Sequence, residues 1–492
     1  MIIDRSILHM KRCVALVAVA VALLLPALPG TDHPGVSAEQ PITSQFVPLD
    51  TPCRLADSRI GDNTAPVAAD TYRLSTAGRC ALPADVTALA VSVVGIANGA
   101  AGFVVLYEAG IARPDVSHVN VSPGETRANG AIVPINQAVA AIDAYALNAA
   151  DLVVDVTGYF TRAAAASSGR FVAMPQRRLL DTRAANEIIA AGTQRNIERP
   201  ADVPDDATAL VVNLTATATA APGFLAVTPA GEVASNSSTL NWDGAGQTRA
   251  VSSIVPISSS GFDVQISLAD THLVVDIAGY MTGNTAPVKS DGLLVAEPPR
   301  RLVDTRSTSP LGHGVPLYPH GAIELASGAA DASAYIVNLT MIAAEPGYLT
   351  ASPAGVPNAG SVSSVNTVGG GHPVANMTIA PVSSRGVEVQ TLWTSHVIVD
   401  YFGRFTGTST PATHSPTGNT PPVGQALYPQ GLCDVIAPGA PGLNDVSRVP
   451  AEYRRIGTSA QGRPIWAEYW GPTDATNRVI VIGHTHGDEC SA

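Results

Sequence analysis

The chain has 492 residues, 46% hydrophobic, 14% charged and 5% aromatic, with 44 Gly, 38 Pro and 5 Cys. So few charges beside an ordinary apolar content exclude a disordered acidic chain and a coiled coil. Only Lys11 and Lys289 of the 28 basic residues are lysines, and 40 acids leave a net charge of −12, which excludes a basic face for nucleic acid.

In chain order, residues 1–38 read as an export signal. Arg5, Lys11 and Arg12 precede an apolar run over 13–25, and Val36-Ser37-Ala38 offers small residues before a cut after Ala38. Thirteen apolar residues fall short of the ~20 that span a bilayer, so no membrane anchor is expected once the signal is cleaved. Cys53, Cys80, Cys433 and Cys490 then remain in an oxidising setting. Cys53 and Cys80 close a modest loop within one repeat and are the disulfide candidates; the partners of Cys433 and Cys490 stay open. No Cys-x-x-Cys spacing suggests a metal knuckle.

An internal repeat of about 123 residues fills most of the chain. Arg54-Leu55-Ala56-Asp57-Ser58-Arg59 returns as Arg178-Leu179-Leu180-Asp181-Thr182-Arg183 and as Arg301-Leu302-Val303-Asp304-Thr305-Arg306. Each copy closes alike, with Val154-Asp155-Val156, Val275-Asp276-Ile277 and Val399-Asp400-Tyr401. Short runs rich in Val, Ile, Thr and Leu alternate with Gly, Pro, Asn and Asp turns, as at 209–215, 224–228, 262–267 and 272–277. The expected fold is therefore mainly β: three tandem all-β, sandwich- or barrel-like repeats over 46–162, 170–283 and 293–406. A unit this long exceeds a propeller blade or solenoid turn, which predicts separate domains on a string rather than a closed ring.

Asp57 with Arg59, Asp181 with Arg183 and Asp304 with Arg306 are the one repeated charge constellation. A carboxylate and a guanidinium in this spacing are expected to pair where each domain closes, as a structural device. Asp155, Asp276 and Asp400 sit inside apolar strands and are expected to serve buried donors rather than act as acids. Asn213-Leu214-Thr215 and Asn338-Leu339-Thr340 match the glycosylation pattern but fall within strands and read as core positions.

Phe46-Val47-Pro48-Leu49, Cys53-Arg54-Leu55 and the closing Val153-Val154-Asp155-Val156-Thr157-Gly158-Tyr159-Phe160 resemble a module of secreted proteins of high-GC Gram-positive bacteria. The resemblance covers about 46–405 and implies a cell-surface or cell-wall setting, often beside a hydrolase, with wall peptide or glycan as the possible partner. Only Trp242 and Trp393 among the tryptophans fall in the repeats, which argues against a sugar-stacking lectin.

Residues 407–426, rich in Thr, Pro, Gly and Ser, read as a linker, and 427–492 as a different, α/β segment. There an apolar strand over 478–482 leads into Gly483-His484-Thr485-His486-Gly487-Asp488-Glu489. Together with Ile456-Gly457-Thr458-Ser459 and Gly462-Arg463-Pro464-Ile465, this resembles the opening of the zinc carboxypeptidase family, including its peptidoglycan-peptide amidase branch. The resemblance makes His486 and Glu489 the first two zinc ligands and His484 a neighbour. The sequence stops three residues past Glu489, before the third ligand and the family's catalytic Glu; this chain is expected to be inactive, its tail poorly ordered. Two readings follow: an exported zinc peptidase or amidase carried by β modules, or a non-catalytic surface protein whose repeats are the functional part. A deacylase of the succinylglutamate desuccinylase type shares the same opening.

Overall fold

The structure, a computed structural model, describes residues 41–412 except 233–236, 309–310, 313, 327 and 357–361, together with two further strands. The expected signal at 1–38, the rest of the expected linker beyond Ala412, the expected strand over 478–482, and Cys433, Cys490, His484, His486 and Glu489 lie outside the described residues.

The chain is mainly β, and no α-helix occurs among the described residues. The first unit holds β1 (Ser44–Asp57), β2 (Ala65–Ala68), β3 (Thr71–Ser75), β4 (Val86–Ile96), β5 (Gly102–Glu108), β6 (Val119–Val121), β7 (Thr126–Pro134), β8 (Ala141–Ala146) and β9 (Asp151–Arg162). The second holds β10 (Phe171–Asp181), β11 (Gln194–Ile197), β12 (Ala209–Thr217), β13 (Gly223–Pro229), β14 (Leu240–Trp242), β15 (Arg249–Pro256), β16 (Phe262–Ser267) and β17 (His272–Met281). The third holds β18 (Leu294–Asp304), β19 (Ala322–Ala326), β20 (Ala332–Ile342), β21 (Gly347–Pro353), β22 (Val365–Thr367), β23 (Val374–Pro381), β24 (Gly386–Thr391) and β25 (His396–Thr406). Beyond them β26 (Tyr453–Thr458) pairs antiparallel with β27 (Pro464–Glu468).

Each unit is a sandwich of two antiparallel sheets. The inner sheets run β1-β9-β4-β7, β10-β17-β12-β15 and β18-β25-β20-β23, and the first and third touch through the single pair Ser44↔Leu294. The outer sheets run β2-β3-β8-β5-β6, β11-β16-β13-β14 and β19-β24-β21-β22. Within the first sandwich, Leu89, Val91 and Val93 of β4 meet Leu106 of β5 and Ile142 of β8. Equivalent cores fill the other two units.

The inner strands do not alternate between apolar and polar residues. Val86–Ile96 is buried almost throughout, which in a sheet means that both faces are covered. One face supplies the sandwich core. The other carries Ala88, Ala90, Ala209, Val211, Ala334 and Ile336, and these pack together across all three units in one further core. At one end of that core Phe46, Phe160, Phe171, Met281, Leu294 and Phe405 converge, with ring centroids 5.2 Å apart for Phe46 and Phe160 and 4.9 Å for Phe171 and Phe405. Each such buried side chain contributes roughly 1.5–3 kcal/mol.

The expectation of separate domains on a string is therefore corrected: the three sandwiches form one body around a shared apolar centre. The physical reason is the second apolar face of each inner sheet, which a lone sandwich would leave in water. The connectors agree. Phe46 N–H donates to Gly169 O (2.8 Å) and Phe171 N–H to Gly292 O (2.7 Å), so each crossing lies hydrogen-bonded along the preceding unit's first strand. Both glycines have positive φ, 72° and 84°, and a Cβ would stand 2.1 Å from Phe46 O at Gly169 and 2.3 Å from Phe171 O at Gly292. Past the third unit, Thr410 and Ala412 remain hydrogen-bonded to Val382 and Ser384, so the fold runs several residues into the expected linker.

Cys53 and Cys80 form a disulfide across a sequence separation of 27. The residue before Arg178 and Arg301, where Cys53 stands before Arg54, is Arg177, ion-paired with Asp202 at 2.6 Å, and Arg300, whose guanidinium lies 4.2 Å from the centre of the Tyr401 ring. Closing a loop of this length restricts the unfolded chain by about 3 kcal/mol. The double variant Cys53→Ser, Cys80→Ser is expected to lose about that much, read as a lower urea midpoint. A change below about 0.5 kcal/mol would contradict the assignment of the bridge as the first unit's staple.

Candidate functional site

The repeated charges assemble at the junction of each unit's first and last strands. β1 pairs with β9 so that Arg54 lies opposite Asp155, and the same register sets Arg178 against Asp276 and Arg301 against Asp400. Register shifts flank these pairs, between Arg54 and Ala56 in the first unit, and turn the following Asp toward the same guanidinium. The result is a chain of four charges, repeated three times.

In the third unit Arg301 donates through Nε to Asp400 Oδ1 (2.8 Å), through Nη2 to Asp400 Oδ2 (3.3 Å) and through Nη1 to Asp304 Oδ2 (3.4 Å). Arg306 completes it with Nε to Asp304 Oδ1 (2.9 Å) and Nη2 to Asp304 Oδ2 (2.7 Å). Arg178 grips Asp276 and Asp181 in the same way, with Arg183 on Asp181 at 2.8 and 2.6 Å. Arg54 does so with Asp155 and Asp57, and Arg59 closes on Asp57 at 2.9 and 2.6 Å. Asp57–Arg59, Asp181–Arg183 and Asp304–Arg306 are thus brought together in every copy. The arginine three residues earlier, which joins them to the buried Asp, is the member that sequence reasoning passed over. Its signal was the invariant Arg opening each of the three segments.

The electrostatics divide the six carboxylates in two. Hydrogen bonds from Arg59 hold Asp57 below the usual carboxylate range, and those from Arg183 hold Asp181 at about 2. Burial works against ionisation of Asp304, but the hydrogen bonds and charge of Arg306, together with the charge of Arg301, outweigh it, and its carboxyl too is lowered. Asp155, Asp276 and Asp400 are 1%, 4% and 0% exposed, and burial pushes each upward against its arginine. Both oxygens of each buried Asp are engaged by a guanidinium, an arrangement that positions backbone rather than moving protons.

Next to each buried Asp stands the device that joins the units. Asn338, opposite Asp400 on β20, donates to Ser117 O, two residues before β6 of the first unit (2.5 Å). Asn213, opposite Asp276, donates to Ser363 O of the third unit (2.6 Å). Ser92, opposite Asp155, donates to Ser238 O of the second (3.2 Å). First joins third, third joins second, and second joins first: a closed head-to-tail ring within one chain. Asn129 and Asn376 extend it, each donating to the neighbouring Asn, Asn338 and Asn213, at 2.9 Å. Asn213 and Asn338, read from sequence as core positions, are specific contacts between units.

Trp242 is 2% exposed and donates its indole N–H to Ala221 O, whereas Trp393 is 45% exposed. Among the described residues no group of three or more His, Cys, Asp and Glu is placed to hold a metal ion. No helix among them is long and apolar enough to cross a membrane.

Searches of protein-family models, of curated proteins and of solved structures return no match to this chain.

Proposed function

We propose that this is an exported cell-surface or wall-associated protein in which the three-unit β body carries the start of a zinc metallopeptidase or amidase domain. The observation that carries the reading is the run from Gly462-Arg463-Pro464-Ile465 to His486-Gly487-Asp488-Glu489. The disulfide between Cys53 and Cys80 supports export to an oxidising compartment. A compact, weakly charged body with docked connectors suits a rigid carrier at a surface.

In this reading the imidazole of His486 and the carboxylate of Glu489 hold the ion, both being donor types that zinc accepts. Zinc held there would lower the pKa of its water and so would supply the nucleophile for a peptide or amide bond. The test is the native protein recovered from its source. A native protein that carries the complete domain is expected to hold one zinc tightly, with peptide or amide hydrolysis that a chelator removes and that Glu489→Ala abolishes, whereas residues 39–492 alone are expected to bind zinc weakly and to hydrolyse nothing. Native protein with neither zinc nor hydrolysis overturns the reading. It would favour the alternative, a surface binding or structural protein, which the closed ring of units supports by offering one broad rigid surface.

A further inference from the structure

Among the described residues, the first unit covers a sheet edge that the second leaves open. β3 has β8 on one side and β2 on the other, whereas β11, its counterpart, pairs only with β16 and ends its sheet. The registers align: Ala146 N–H donates to Asp70 O (2.9 Å) as Ile266 N–H does to Thr193 O (3.0 Å), which sets Arg195 in the place of Tyr72. Antiparallel bonds alternate in direction, so Gln194 and Asn196 turn their backbone N–H and C=O away from β16. Gln194, Arg195 and Asn196 are all exposed.

Beside this edge an open groove of about 1070 Å³ runs between the end of β10 and residues 195–202. Roughly 300–1,000 Å³ is usual for a ligand pocket, so this groove suits a chain segment better than a single ion. Four arginines line it, Arg177, Arg178, Arg195 and Arg199, against two acids, Glu198 and Asp202, in a chain of net charge −12. Ile197 belongs to the sandwich core, so Arg195, two residues earlier, points to the same side of the sheet and over the groove. Its ion pair with Glu187 is long, 3.5 Å, with side chains 45% and 56% exposed, and such a pair adds little. Arg195 is therefore available to a partner.

The strand seated on the covered edge is the template for the open one. Pro66 of β2 lies opposite Tyr72, where the two backbones do not bond each other, so the missing N–H of proline breaks nothing. The place opposite Arg195 is of the same kind, and there facing residues come closest, about 4.5 Å between Cα atoms. We infer that β11 binds an extended acidic peptide as an added strand, in the position β2 takes on β3, with a carboxylate opposite Arg195. A second carboxylate two residues along falls on the same face, over the groove that Arg177 also lines. Pairing β11 with β11 of a second copy about Arg195 would set like charges opposite each other, which disfavours a dimer. The site is independent of the peptidase reading, because every residue in it belongs to the β body.

The test is isothermal titration of the full chain with acetyl-Val-Glu-Val-Glu-Val-amide and with acetyl-Val-Lys-Val-Lys-Val-amide. The acidic peptide is expected to bind about tenfold or more tightly than the basic one, and Arg195→Met, a surface change, is expected to weaken it by about tenfold. Strand addition has its own signature. A glutamate opposite Arg195 turns its N–H away from β11, whereas the neighbouring valines turn theirs toward it. Methylating the central valine amide is expected to weaken binding by about tenfold or more, and methylating the glutamate amides by about threefold or less. Absence of saturable binding of the acidic peptide overturns the site, and equal binding of the basic peptide overturns the part given to the arginines. Equal losses from the two methylations overturn strand addition. A chain that sediments as a dimer and takes no peptide gives the edge to a second copy and overturns the proposal as well.

Discussion

Arg301→Met is expected to cost the fold about 3–5 kcal/mol, the penalty for leaving a buried charge without its partner. Asp400 is fully buried, and its remaining donor is Ser117 N–H of the first unit at a long 3.4 Å. Loss of the guanidinium forces the carboxyl either to stay charged in an apolar setting or to take a proton. The second route gives the variant a signature. With its folded-state pKa raised further, Asp400 binds its proton more tightly folded than unfolded, so the deficit shrinks as pH falls. Replacing both residues, Arg301→Met with Asp400→Leu, is expected to recover much of the loss, because an apolar pair needs no compensation. Arg306→Ala is the contrast: its side chain is 46% exposed, and a cost of about 1 kcal/mol or less is expected. Urea denaturation of the four proteins at pH 7 and pH 5 measures all of this. Equal losses from Arg301→Met and Arg306→Ala would contradict the central place given to Arg301.

The second large effect is a loss of stability in mild acid through His118. This histidine lies at the junction of the first and third units, 2% exposed, with its ring 4.6 Å from that of Phe402. Its Nδ1 accepts from Leu106 N–H (3.1 Å), which puts the proton of the neutral ring on Nε2, where no protein partner meets it. Burial drives its pKa down to about 3 from an ordinary 6.5. Between these values the unfolded chain binds a proton that the folded chain does not, so stability rises with pH from about 3 to about 6.5. The slope approaches 1.4 kcal/mol per pH unit and sums to on the order of 5 kcal/mol. Asp155, Asp276 and Asp400, with raised values, act in the opposite sense, which is why a variant is needed to isolate the term. His118→Asn keeps an acceptor for Leu106 and is expected to flatten the dependence between pH 4 and 6, relative to the parent. Parallel curves for the two proteins would place the acid sensitivity elsewhere.

The fold class was legible because short β-branched runs and turn residues recur at a fixed spacing, which local propensity alone can specify. The assembly was not. Val86–Ile96 announces burial on both faces through its missing alternation, yet the sequence does not say whether the second cover is a helix, a sheet of the same unit or a neighbouring repeat. The charge clusters were legible in part. Asp57 and Arg59 are neighbours in sequence, whereas the bond from Arg54 to Asp155 spans 101 residues and depends on the register of β1 against β9. The polar ring was hidden for another reason: Ser92, Asn213 and Asn338 occupy equivalent places but differ in residue type, and their partners are backbone carbonyls, which no side-chain pattern marks. The repeat itself masks the open edge of β11, because β3, its counterpart, is covered by β2.

The central claim is that three sandwiches fold as one body, and differential scanning calorimetry of the full chain tests it most directly. A shared apolar centre, docked connectors and a closed hydrogen-bonded ring predict a single endotherm for the β body, with the van't Hoff enthalpy equal to the calorimetric enthalpy. Three separable transitions, or a van't Hoff enthalpy near one third of the calorimetric value, would mean that the units melt independently and would contradict it.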